Sequence, residues 1–244
     1  MWESIKTLLF QGLQSLYGVT GDWGWAIILL TIGLRLAMVP LTVKQTKSMY
    51  EMQRIQPKIK QLQAKYKNDK EKLQEETLKF YSENKVNPFG GCLPILLQMP
   101  IFLALFQVLG NTSKTPSPTW NLPAYLGTLS GAELTAAKEF SLFGLTILPN
   151  ITLTPQAVFA ADGVLPALAY ITLVVLFGLS IWLPQALMPG EKQQKQTGMI
   201  MAVMMLWFGW ISPAGVLLYW VTSSIIGLIQ QQITLKMYAR KEGD

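Results

Sequence analysis

The chain has 244 residues, half of them hydrophobic and only 14% charged, against about 25% charged in an average soluble domain. Its mean hydropathy is +0.31, which excludes disorder for most of the length and leaves too few charges to cover a water-facing surface. There is no histidine and a single cysteine, Cys92, so histidine acid–base chemistry, histidine metal sites, internal disulfides and cysteine clusters are all excluded. A chain this poor in charge that still carries a net charge of +6 must concentrate its basic residues somewhere.

Residues 1–20 open Met1-Trp2-Glu3 without a basic stretch, and no small-residue cleavage site follows, so a signal peptide is not expected. Trp2, Ile5, Leu9, Leu13 and Leu16 recur at three- and four-residue spacing, with Glu3, Lys6, Gln11 and Gln14 elsewhere. That pattern predicts an amphipathic helix lying in the interface on the outer side of a membrane. Asp22 is placed to cap the helix that follows.

Five apolar stretches read as transmembrane spans, each judged against the roughly 20 residues a span needs. They are residues 23–43, 92–109, 165–183, 199–211 and 214–233, the last two separated by the Ser212-Pro213 turn signal. The fourth is short and must tilt, extend back toward Lys195 or sit in thinned bilayer. The connecting segments are 44–87, 110–163 and 184–198, with a tail at 234–244. Sixteen of the 20 basic residues fall in 44–87, 184–198 and the tail, and three in the other extramembrane segments. The positive-inside rule therefore predicts N-out/C-in.

Residues 44–87 are the water-soluble part. Apolar residues recur at Met52, Ile55, Ile59, Leu62 and Tyr66, then at Leu73, Thr77, Phe80 and Tyr81 after Asn68-Asp69. This predicts a cytoplasmic helical hairpin with one thin apolar seam, bent or restarted at Pro57. Its basic face suits anionic lipids, and the hairpin suits docking of a cytoplasmic partner. Its mixed charge signs and the lack of a stacking set argue against nucleic-acid binding, with a weak ribosomal RNA contact left open.

Arg35 is the one charge within a span. At 1.5 Å per residue it lies about 18 Å from the outer and about 12 Å from the inner end of residues 23–43. A mid-span arginine costs about 2.5–3.5 kcal/mol on insertion scales. No acidic residue occurs in any of the five spans, so the alternatives are snorkelling to the cytoplasm or a water-filled cavity. Thr31, Gln98, Ser180, Thr222 and Ser223 supply polar groups for such a cavity. A wet cationic cavity attracts anions.

Two long motifs carry a family resemblance. Asn87-Pro88-Phe89-Gly90-Gly91-Cys92-Leu93-Pro94-Ile95-Leu96-Leu97-Gln98-Met99-Pro100-Ile101-Phe102 resembles the second conserved span of the YidC-type membrane protein insertases. Ser212-Pro213-Ala214-Gly215-Val216-Leu217-Leu218-Tyr219-Trp220, followed by Gln230-Gln231, resembles their last span. Arg35 with Pro40 and Leu41, and Ile55-Gln56-Pro57-Lys58-Ile59, also match, so the likeness runs from Trp23 to Gln232. Ser224 stands where the family usually has Asn. The large periplasmic domain of some members and a lipobox cysteine are not found, so lipid anchoring is not expected.

The resemblance implies an all-α membrane protein: five transmembrane helices around a hydrophilic groove open to cytoplasm and lipid, with the interfacial helix and the hairpin outside it. It implies a bacterial inner-membrane insertase and chaperone, working without nucleotide or other cofactor, and no P-loop pattern is present. Arg35 would be the groove cation, with Thr31, Gln98, Ser180, Tyr219, Trp220 and Thr222 lining the groove. Met99, Phe102, Met205 and Phe208 would form a slide along which a client helix leaves for lipid. Met199, Met201 and Met204 read as gap fillers that also suit a promiscuous surface. The implied partners are nascent membrane proteins, above all short single-span clients with acidic translocated tails. The ribosome, signal recognition components and Sec translocon follow as candidate partners, and one groove per chain makes a monomer sufficient. The competing functions are a small anion channel or transporter selecting through Arg35, for which no inverted repeat is found, and an intramembrane enzyme, for which histidine and intramembrane acids are missing.

Overall fold

Pro40 decides where the first apolar stretch stops being one helix. A proline inside a helix lacks an N–H and clashes with the carbonyl four residues back, here that of Leu36. In the computed structural model of the chain α2 (Trp23–Ala37) accordingly ends before Met38 and α3 (Val39–Lys65) begins with Pro40 in its first turn. The expected span at 23–43 is thus two helices rather than one. The structure describes residues 1–67, 69–84, 86, 93–110, 118–119, 121–129, 137–142, 145–187 and 192–241. Residues 87–92, which include Cys92 and the opening of the Asn87–Phe102 motif, lie outside the described residues.

The remaining elements are α1 (Trp2–Thr20), α4 (Lys70–Glu83), α5 (Leu93–Leu109), α6 (Leu122–Leu126), β1 (Phe140–Leu142), β2 (Leu145–Leu148), α7 (Pro155–Asp162), α8 (Val164–Leu187), α9 (Lys192–Trp210) and α10 (Ala214–Lys241). The chain divides into two units: Met1–Ala37 with Met99–Gly227, and Met38–Gln98 with Leu228–Asp244.

In the first unit α1 stops at Gly21, whose φ of 68° is a left-handed value that glycine adopts without strain. Asp22 then caps α2, accepting the Trp25 N–H at 3.1 Å. The buried face of α1 is Lys6, Phe10 and Leu13, whereas Trp2, Ile5 and Leu8 are exposed. This differs from the expected single stripe through Trp2 and Ile5. The helix is apolar on two sides: one packs on protein, where Phe10 and Tyr17 stack on the fully buried Trp23, and the other is left outward. Lys6 joins the buried face because its ammonium pairs with Glu3 at 2.8 Å.

Residues 110–163 hold structure that apolar periodicity did not announce. A two-stranded antiparallel sheet, β1 with β2, pairs Ser141 with Thr146, so the chain is not purely helical. Ser141 is strapped to the start of α2: its N–H donates to Asp22 Oδ2 at 2.7 Å and its carbonyl accepts the Trp25 indole N–H at 2.9 Å. Phe140 lies over Gly24, where a Cβ would overlap the ring. The start of α10 is buried from Ser212 to Tyr219, and its leading N–H groups need acceptors. Leu153 and Ile151 provide them, accepting from Ala214 at 2.9 Å and from Gly215 at 2.8 Å. The Tyr170 hydroxyl fixes the same loop through both backbone groups of Asn150.

Asn121 joins two helix ends. Its amide donates to the Gln107 and Gly110 carbonyls at 2.7 and 2.8 Å, closing the end of α5, while its oxygen accepts the Ala124 N–H and caps α6.

In the second unit α3 runs unbroken through Pro57. The seam with the segment at α4 is a small cluster of Ile55, Ile59 and Val86 flanked by Met52, Phe80 and Tyr81. Asp69 caps α4 by accepting the Lys72 N–H. The start of α3 meets the end of α10 through polar contacts: Gln230 Nε2 donates to Thr42 Oγ1, and Tyr50 stacks on Tyr238.

Among the described residues Val164–Pro184 and Ala214–Tyr238 are long and apolar enough to cross a membrane. Trp23–Ala37 with Val39–Met52 makes a third if taken as one broken span. Gly198–Trp210 is a shorter apolar helix, whose helix α9 reaches back to Lys192.

Asn121 is fully buried, so Asn121→Ala leaves three backbone groups unpaired. The expected cost is about 2–4 kcal/mol, read as a lower unfolding midpoint of the detergent-solubilised protein. An unchanged midpoint would mean that other groups close these helix ends.

Candidate functional site

Arg35 occupies the last turn of α2, where the helix dipole favours a cation. That position follows from the break at Met38. The side chain is half-buried, and its Nε donates to Ser223 Oγ at 2.7 Å. Ser223 is 4% exposed. Tyr219, Ser223 and Gly227 recur every four residues and therefore share one face of α10. A Cβ on Gly227 would stand 3.1 Å from Nη1 and 3.4 Å from Cζ and Nη2, so the guanidinium packs against the bare backbone there. Tyr219, also buried, lies near the guanidinium on this same face.

Thr31 lies one turn before Arg35 and is buried, but its hydroxyl donates to the Ile27 carbonyl of its own helix at 2.6 Å. Ser180 is likewise bonded within its helix, to the Phe177 carbonyl at 2.7 Å. Both hydroxyls thus have backbone acceptors, as Ser and Thr in apolar helices commonly do. Thr222 and Gln98 are half-buried. The structure brings Arg35 together with Tyr219, and with Ser223 and Gly227. Sequence reading counted Ser223 only as one polar group among several and did not single out Gly227. The four-residue spacing from Tyr219 was the available signal.

Two of the four residues assigned to the slide, Phe102 and Phe208, meet in an aromatic cluster. Phe102 lies edge-on to Trp220 with centroids 4.8 Å apart, and is tilted to Phe208 at 6.3 Å. Phe106 stacks on Phe208 at 5.8 Å, and Phe177 meets Trp220 edge-on at 5.4 Å. Trp220 is therefore a member of this cluster, turned about 100° around the helix axis from its chain neighbour Tyr219. Met205 is partly buried against the core of the first unit, whereas Met99 is 44% exposed. Close helix contact surrounds the cluster, since a Cβ on Gly209 would press on the Phe177 ring.

In the second unit, Arg54 and Lys58 on α3, with Glu51, Ile55, Asn84 and Val86, line a cavity of about 420 Å³. Two cations against one carboxylate make it net positive. Among the described residues no group of three or more Cys, Asp or Glu side chains comes together to hold a metal ion.

The chain matches the family model described as 60Kd inner membrane protein over residues 15–241. It is 38% identical over 241 residues to a protein of Pseudoalteromonas atlantica named membrane protein insertase YidC, covering 98% of this chain and 37% of that protein. A protein of the same name from Endomicrobium trichonymphae is 34% identical over 231 residues, covering 94% of this chain and 39% of that one. The chain thus spans about two fifths of the length of these relatives. A solved structure, an active YidC insertase with the first transmembrane domain resolved, superposes with a TM-score of 0.66 at 28% identity, over 94% of this chain and 46% of the other. The YidC-type resemblance read from the motifs holds over nearly the whole length, and the chain belongs to the 60Kd inner membrane protein family.

Proposed function

We propose that the chain is an insertase that places client proteins in a bacterial inner membrane and helps them fold, as a multi-pass protein with five spans in the N-out/C-in orientation. The observation that carries this is Arg35, a cation among apolar helices whose partners are a hydroxyl and a glycine backbone rather than an acid. The name shared by relatives 34–38% identical to it supports insertion over anion transport.

In this mechanism Arg35 draws the acidic translocated tail of a short single-span client into a hydrophilic groove. A carboxylate 4 Å from the guanidinium gains about 4 kcal/mol at an effective dielectric of 20. Tyr219 and Thr222 line the groove with it. Met99, Phe102, Met205 and Phe208 then guide the client's apolar helix toward lipid. Short spans lower the barrier: α5 is about 25 Å long and Gly198–Trp210 about 20 Å, against a hydrocarbon core of roughly 30 Å. Mismatch of that sign thins the surrounding bilayer. No nucleotide takes part.

The hairpin is the cytoplasmic receiving arm, in reach of the ribosome, signal recognition components and the Sec translocon. Its cation-lined cavity at Arg54 and Lys58 favours anionic lipids. A single chain carries the whole groove, so a monomer suffices.

The test is reconstitution of the purified protein in liposomes with a short single-span client. Client protection from added protease is expected to rise, and failure to rise together with measurable anion flux overturns the proposal. In the same assay Arg35→Glu is expected to impair a client with an acidic tail more than one with a neutral tail. Equal loss would mark Arg35 as structural. Deleting residues 53–82 is expected to leave the membrane part folded, read as an unchanged unfolding midpoint, while slowing insertion. Full activity after that deletion would remove the hairpin from the mechanism.

A further inference from the structure

An arginine side chain has four flexible torsions, so a cation on a span is not by itself a binding site; something must aim it. The Arg35 Nε–H is the donor engaged by Ser223. Among the described residues neither Nη1 nor Nη2 donates a hydrogen bond, and both terminal nitrogens lie over Gly227. A guanidinium can grip a carboxylate with two parallel bonds either through Nε and one Nη or through both Nη atoms. With Nε held by the Ser223 hydroxyl, only the second grip is open.

From this geometry we infer that Ser223 is a positioning residue: it fixes the rotation of the Arg35 guanidinium so that a carboxylate docks end-on, through Nη1 and Nη2 together. Gly227 completes the arrangement by leaving room for the planar group against the α10 backbone. The choice of a client's acidic group then depends on a hydroxyl that does not touch the client. The inference rests on the insertase reading for its consequence, and on the Arg35–Ser223 hydrogen bond for its cause.

Two readouts test it. The chain has three arginines, Arg35, Arg54 and Arg240, so ¹⁵N labelling of arginine resolves few side-chain signals, and loss of one in Arg35→Lys identifies Arg35. A slowly exchanging Nε–H is expected in the wild type, exchanging about tenfold faster or more in Ser223→Ala, and slow again in Ser223→Thr, which keeps the hydroxyl. In liposomes, Ser223→Ala is expected to lower insertion of an acidic-tailed client about tenfold relative to a neutral-tailed one, the factor carried by one hydrogen bond to a charged group. Ser223→Thr restores the ratio, and adding Ser223→Ala to Arg35→Gln changes nothing further. If the wild type inserts both clients and Ser223→Ala leaves their ratio unchanged, or lowers both equally, the positioning role is overturned and the insertase reading stands. If the wild type inserts neither, both are overturned, whatever the exchange rates.

Discussion

A guanidinium among apolar helices is the constraint around which the first unit is organised. Among the described residues its charge has no acidic partner, so the protein meets it with weaker means: the carbonyl end of α2, one hydroxyl from Ser223 and contact with the backbone at Gly227. Each of these stabilises the cation without neutralising it. A carboxylate in the same place would have formed a buried pair, costly to break, and left no attraction for an incoming anion. An incompletely satisfied cation is poor for stability and useful for capture.

That arrangement requires α2 and α10 to hold their register, and the polar ends of the helices provide this. Asp22 and Ser141 tie the β-hairpin to the start of α2. The Ile151 and Leu153 carbonyls take the first N–H groups of α10, and Asn121 closes α5. Apolar side chains gain little from packing against one another rather than against lipid. Hydrogen bonds between backbone ends, together with close contacts such as Gly209 against Phe177 and Gly24 against Phe140, therefore carry more of the specificity than in a water-soluble core.

The aromatic cluster of Phe102, Phe106, Phe177, Phe208 and Trp220 qualifies the roles read from sequence. Trp220 stands beside Tyr219 in the chain, and both were assigned to the groove, yet a rotation of about 100° per residue sends them to different neighbours. One faces the cation and the other faces rings. Thr31 and Ser180 likewise look polar in sequence but spend their hydroxyls on their own helices.

The amino-acid sequence alone determined the membrane class, the sidedness expected from charge and the family, because apolar run length, the distribution of Lys and Arg and two proline-bearing motifs are linear properties. It also held the capping residues Asp22 and Asp69 and the turn at Ser212-Pro213. The Pro40 break was present in the same letters, though apolar length alone carried the span past it. What only the tertiary structure decided was which faces meet. Helical stretches such as α5, α8 and Gly198–Trp210 are apolar nearly all round, so periodicity carries no direction for burial, and nothing along the chain pairs Arg35 with a residue 188 positions away. The short β-hairpin was equally illegible, since its strands are three and four residues long and are held by Asp22 and Trp25 rather than by a pattern of their own.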